Sequence, residues 1–167
     1  MSFRLDPVTG PGMSNAATTE EGKKANSSTH ECGCHCGYIK FSVTLSPPLP
    51  EYEVVNCNCS ACIRFGYLLI YPEAADVKWH NDGRSRCASY EFNTKAKSQL
   101  FCPKCGASLG IDFRDVFKPQ KYGISARTIY GVNLDELNLK KFDGINMVKP
   151  TGDLAGHYWD EEKGEMK

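Results

Sequence analysis

Apolar and polar residues alternate along much of this chain. In Tyr38-Ile39-Lys40-Phe41-Ser42-Val43-Thr44 every second side chain is apolar, with Ile39, Phe41 and Val43 on one face. Successive side chains of an extended chain point to opposite faces, so the segment predicts a half-buried β-strand. It ends at Ser46-Pro47-Pro48-Leu49-Pro50, because proline cannot donate to a ladder. Residues 52–56 and 67–71 are further β-rich runs. Short strands are also expected over 77–80, 88–93 and 107–113, with Asn81-Asp82-Gly83 as a turn between the first two. Residues 72–75 predict one helical turn with proline at its start. Weaker strand signals cover 134–139 and 157–159, and no long helical period appears. The pattern is that of a mostly β domain with short strands and tight turns.

The two ends have a different character. Thr9-Gly10-Pro11-Gly12 is a breaker cluster, and residues 14–29 are small and polar without a period. Such a segment cannot bury enough apolar surface to offset its ordering entropy, so 1–29 is expected to be a disordered tail. The folded domain is expected over 30–148, with 149–167 as an extension packed on it or trailing from it.

Composition narrows the function. Twenty Lys and Arg balance twenty Asp and Glu, which leaves no basic footprint for nucleic acid or an anionic membrane. The pairs Lys23-Lys24 and Lys140-Lys141 are too short for a nucleic-acid patch. No apolar run approaches the ~20 residues of a membrane helix. The first residues lack the apolar stretch of a secretory signal, so an intracellular setting, cytoplasmic or nuclear, is expected.

Nine cysteines are many for such a chain. The number is odd, reduced thiols are the rule inside cells, and most of these cysteines stand one or two residues apart. Close spacing suits metal chelation better than disulfides. Three groups appear: Cys32-Gly33-Cys34-His35-Cys36-Gly37, Cys57-Asn58-Cys59-Ser60-Ala61-Cys62 and Cys102-Pro103-Lys104-Cys105-Gly106, with Cys87 alone. A Cys-x-x-Cys-Gly turn aims two thiolates at one ion, and the glycine permits a backbone that other residues resist. Cys34 and Cys36, just before a strand, are the natural complement of Cys102 and Cys105. Four cysteines would make a closed structural site. Cys57, Cys59 and Cys62 would leave a fourth position for water or substrate, unless Cys32, Cys87 or a histidine fills it. Thiolate softness selects zinc, copper(I) or iron–sulfur, and the spacing does not match ferredoxin patterns, so zinc is expected.

These three motifs resemble the glutathione-dependent formaldehyde-activating enzyme family. The likeness is greater to its centromere protein V branch, which also shows a stretch like Tyr90-Glu91-Phe92-Asn93-Thr94 and a C-terminal motif like Phe142-Asp143-Gly144. The resemblance covers roughly residues 30–148. It implies small antiparallel sheets in a β-tent fold, a structural zinc at Cys34, Cys36, Cys102 and Cys105, and a second zinc at Cys57, Cys59 and Cys62. It also implies joining glutathione to formaldehyde, or the reverse carbon–sulfur cleavage. Cys32 and Gln99 depart from the family pattern: Gln99 stands where centromere protein V has a histidine.

On this basis the chain is expected to be a carbon–sulfur lyase acting on glutathione–aldehyde or related thiol adducts. The catalytic metal would lie at Cys57, Cys59 and Cys62, with Cys32 as a spare ligand, a redox partner or inert. Arg64, Tyr67 and His80 are candidates to orient a substrate, each with a plainer role on the surface, in a strand or in a turn. His35, His30, His157 and Cys87 are expected to be structural or solvent-facing. The alternatives are an enzyme for another thioether, or a non-catalytic zinc-stabilised interaction module like centromere protein V. A homo-oligomer is left open.

Overall fold

The computed structural model describes residues 26–167. A three-stranded antiparallel sheet has the order β1 (Ser28–Gly33), β2 (Lys40–Leu45), β5 (Val77–Trp79). A seven-stranded sheet runs β10 (Asn138–Phe142), β3 (Glu53–Cys57), β4 (Leu69–Ile70), β9 (Tyr122–Ser125), β8 (Ser108–Asp112), β7 (Ser98–Phe101), β6 (Ala88–Tyr90). Its neighbours are antiparallel except β10 and β3. A small hairpin, β11 (Trp159–Asp160) and β12 (Glu165–Met166), closes the chain. The helices are short: α1 (Ser60–Phe65) and α2 (Gly144–Met147). None among the described residues is long and apolar enough to cross a membrane.

The alternation of β2 works as its sequence predicts, with Phe41 and Val43 fully buried. They pack with Val54, Ile70 and Ile124 of the larger sheet, and with Leu68 just before β4, into the main core. Each buried aliphatic side chain contributes about 1.5–3 kcal/mol over exposure. The opposite face of the larger sheet carries a second apolar cluster of Val55, Cys57, Cys62, Tyr67, Leu69, Ile111 and Phe113.

A bulge divides β8 between the two faces. Leu100 pairs with Gly110 and Phe101 with Ser108, which leaves Leu109 as the extra residue. One inserted residue reverses the side-chain phase. Leu109 therefore enters the main core, while Ile111 reaches the second cluster.

Several elements differ from the sequence expectations. β1 begins at Ser28, inside the segment assigned to the tail; residues 1–25 lie outside the described residues. β1 is an edge strand held by its ladder to β2, and it buries only Cys32 and Gly33, so it shows no apolar alternation. The weak signal over 134–139 resolves into a 3-10 turn (Leu134–Glu136) followed by β10. The turn at 72–75 is a 3-10 turn at Ala74–Asp76. The C-terminal segment returns to the body, with the Tyr158 ring 5.0 Å from that of Phe92.

Candidate metal centres

Two groups of sulfurs are gathered by the fold. The Sγ atoms of Cys34, Cys36, Cys102 and Cys105 lie within 4.8 Å of one another, and so do those of Cys57, Cys59 and Cys62.

The four-cysteine group comes from two turns. Cys34 and Cys36 lie between β1 and β2, and Cys102 and Cys105 between β7 and β8. Each turn ends in a left-handed glycine, Gly37 at φ 76° and Gly106 at φ 73°. The Gly106 N–H donates to the Cys102 carbonyl at 2.8 Å, which closes the turn and brings its two sulfurs to one side. Cys34 and Cys36 Sγ are 3.6 Å apart, and Cys36 and Cys102 Sγ 3.8 Å. Tetrahedral zinc with Zn–S bonds near 2.3 Å needs sulfurs about 3.8 Å apart. The spacing therefore fits zinc. Backbone N–H groups of Ile39 and Lys104 donate to Cys34 and Cys102 Sγ at 3.2 and 3.4 Å.

The three-cysteine group is local. Cys57 ends β3, Cys59 is the N-cap of α1, and Cys62 lies in the first turn of α1 with its side chain buried. Hydrogen bonding to Cys59 pushes the Cys57 thiol up, and hydrogen bonding to Cys57 and then Cys59, with burial, does the same for Cys62. Bonds from those two hold Cys59 down. Three sulfurs this close cannot all ionise without a cation among them, so the donor set fits a divalent metal.

The parallel pairing of β10 with β3 sets Phe142 beside Cys57 and carries Asp143-Gly144 over the back of this group. Gly144 is there because nothing larger fits. A Cβ at this position would fall 2.4 Å from Cys57 Sγ and 2.9 Å from Cys59 Cβ. Asn58, between two of the cysteines, ties the layers together. Its amide donates to Asp143 Oδ1 and its carbonyl accepts from the Ile145 N–H, both at 2.9 Å. The Cys-Asn-Cys and Phe-Asp-Gly motifs, 85 residues apart, are thus two halves of one clamp. Hydrogen bonds from Asn146 and Asn58 hold the Asp143 carboxyl below its ordinary value.

Aromatic rings pack in and beside the cluster that holds the three cysteines. Phe65 lies 5.5 Å from Tyr67 and 6.1 Å from Tyr90, Tyr90 stacks on Phe92 at 5.3 Å, and Phe92 meets Tyr158. Tyr71 lies 5.9 Å from Phe113. Burial, and then the charges of Cys62, Cys57 and Cys59, push the Tyr71 phenol up. Lys97 places its ammonium 5.3 Å from the centre of the Phe113 ring. Burial lowers its pKa against the opposing pull of Cys59 and Cys62. Sequence reasoning missed Lys97, Tyr71 and Tyr158, because nothing local in the chain says which way they face.

The other candidates are dispersed. Tyr67 is buried beside the group, but its hydroxyl donates to the Gly110 carbonyl at 3.0 Å. Arg64 turns back to the Ser60 carbonyl at 3.0 Å and to Asp153 at 3.5 Å. His80 pairs with Glu31 at 3.6 Å on the smaller sheet. His35 and His157 are exposed, and His30 Nε2 meets the Ser28 hydroxyl at 2.7 Å. Cys32, expected as a spare ligand, belongs to neither group. It lies fully buried in the main core, pairs as an isolated bridge with Ile129, and burial pushes its thiol up to about 12. Cys32 is still held in the β1 ladder, opposite Phe41 of β2, whereas the turn that carries Cys34 and Cys36 begins only after Gly33. Cys87 is half-buried and donates to the Gly83 carbonyl at 3.4 Å.

The family model for glutathione-dependent formaldehyde-activating enzymes matches residues 29–137. The chain belongs to this family. A crystal structure of a Rhodobacter sphaeroides protein is similar at 26% identity and a TM-score of 0.54, covering 66% of this chain and 99% of that one. Family membership places the chain within glutathione-related thiol chemistry and zinc binding. The two sulfur groups are sites that could hold the zinc ions.

Proposed function

We propose that this chain is a zinc-dependent enzyme that forms or cleaves glutathione–aldehyde adducts, a carbon–sulfur lyase in the cleaving direction. Cys34, Cys36, Cys102 and Cys105 would hold a closed structural zinc, and Cys57, Cys59 and Cys62 a second zinc with a position for the substrate sulfur. The observation that carries this reading is the unequal sulfur count: four in one group, three in the other. Zinc in the second group would hold a thiol as its thiolate at neutral pH. The chain's own residues supply the rest. The Gly144 layer shuts one side, so substrate would approach from the side of the aromatic rings. These rings keep water from the reacting carbon and would pack on the apolar stem of the thiol. The family relationship supports glutathione as that thiol, in an intracellular setting.

Metal analysis of Cys59→Ser tests the reading. Two zinc ions per chain are expected in the parent and about one in the variant, with the fold kept and adduct turnover lost. Unfolding of Cys59→Ser would make the second site structural. A folded, turnover-free parent would favour the non-catalytic interaction module.

A further inference from the structure

Gln99 lies within β7, and Lys97 in the bend just before it. The register shows which sheet face Gln99 occupies. Gln99 pairs with Ile111 on β8 and with Tyr90 on β6, and Ile111 packs in the cluster that contains Cys57 and Cys62. Lys97 lies over Phe113, two residues beyond Ile111 and in the same cluster. Both polar side chains therefore share the sheet face of the three cysteines.

Neither fits a purely structural role on that face. Gln99 is only 5% exposed, yet its Oε1 has no hydrogen-bond partner among the described residues. A buried polar group left unpaired costs about 1–3 kcal/mol. The Lys97 ammonium is half-buried against a ring. An apolar filler would pack there without these costs, so the two groups are suited to something that arrives.

We propose that Lys97 and Gln99 receive the oxygen-bearing half of the thiol adduct, beside the sulfur site of Cys57, Cys59 and Cys62. This rests on the reading that those cysteines leave a position for the substrate sulfur. In adduct formation the substrate thiolate attacks the aldehyde carbon. A C–S bond forms, the C=O π pair moves to oxygen, and the alkoxide takes up the proton that the thiol had released to water. Cleavage runs the same steps backwards: the hydroxyl gives up its proton, the C=O bond re-forms, and the C–S pair leaves on sulfur. An ammonium set beside the oxygen stabilises the alkoxide, where charge develops. Gln99 Oε1 can only accept, which matches the hydroxyl of the finished adduct. A site built to pair a hydroxyl rejects analogues that lack one, because its own polar group is then stranded. The pair would therefore select compounds whose oxygen lies close to the sulfur over plain thiols and thioethers. Lys97 and Gln99 act as specificity-determining residues, whereas Arg64 is engaged with Ser60 and Asp153, and His80 with Glu31.

The test uses the cobalt-substituted full chain and the thiolate charge-transfer band, titrated with three probes. Ethanethiol carries no oxygen, 2-mercaptoethanol a hydroxyl and mercaptoacetate an anionic oxygen. Affinity ratios to ethanethiol, compared between parent and variant, cancel differences in thiol acidity. Gln99→Leu should lower the 2-mercaptoethanol ratio about fivefold to tenfold, the size of one hydrogen bond. Lys97→Met should lower the mercaptoacetate ratio similarly, and Lys97→Arg should restore it. Gln99→Met provides a second apolar variant should Gln99→Leu fold poorly. If ethanethiol binds every variant and the ratios do not move, the receptor assignment is overturned and the sulfur site stands. If ethanethiol leaves the parent band unchanged, the sulfur site itself fails.

Discussion

The two cysteine groups use the same ligand chemistry but differ in how the chain reaches them. The four-cysteine group joins a turn next to the smaller sheet with a turn of the larger one, and two of its sulfurs in contact, Cys36 and Cys102, are 66 residues apart in sequence. The three-cysteine group comes from a single turn between β3 and α1, closed from behind by Gly144. A metal held by distant segments holds the fold together. A metal held by one short segment can be lost while the sheets remain. Position in the topology, rather than ligand type, separates a structural site from one free to do chemistry.

Cys102→Ser should break the comparison most severely. Structural zinc contributes about 10–16 kcal/mol in small zinc domains, more than a domain of this size holds in reserve. We expect no cooperative thermal transition by circular dichroism and little zinc bound at either group. A variant that melts cooperatively near the parent would show that the cross-link is dispensable. Gly144→Ala should act on the other group alone. The new Cβ would collide with Cys57 Sγ, so α2 or the sulfur must shift. Zinc affinity there should fall about 10–100-fold, the usual cost of disturbing the surroundings of metal ligands. Competition with a chelating dye would detect this as one weakened site, with the other unchanged. Equal weakening of both would mean that the groups are coupled.

The smallest effect concerns Cys32, which lies outside both groups. Its thiol ordinarily titrates near 9.0 and is pushed up to about 12 by burial. Below pH 9 it is neutral in folded and unfolded chains alike, and its packing contribution is fully present. Between pH 9 and 12 the unfolded thiol ionises while the folded one does not, so stability falls as pH rises. Cys32→Ala should lose some packing at pH 7.5, keep both zinc ions, and lose less stability than the parent between pH 7.5 and 10. Urea denaturation at the two pH values measures this. Loss of a zinc ion in Cys32→Ala would return Cys32 to the ligand set.

Much of this was legible in local spacing. Cys102-x-x-Cys105-Gly106 can do little but form a turn with two sulfurs on one side, and Phe41 and Val43 of β2 can only share a face. Such patterns depend on neighbours one to four residues away, and the sequence alone determines them. It therefore indicated a mostly β, cysteine-clustered domain with a triad at Cys57, Cys59 and Cys62. What it could not show depends on pairing between distant strands. The edge strand β1 carries no alternation, because its backbone ladder does the holding. The bulge at Leu109 reverses a face without any unusual residue type. The parallel register of β10 on β3 brings Gly144 against Cys57. The register of β7 on β8 puts Gln99 on the sheet face of the second apolar cluster. Cys32 sits two residues from Cys34, yet stays outside the sulfur group. Register is set by long-range hydrogen bonds and by which apolar faces meet, so only the tertiary structure decided which side of the sheet the chemistry occupies.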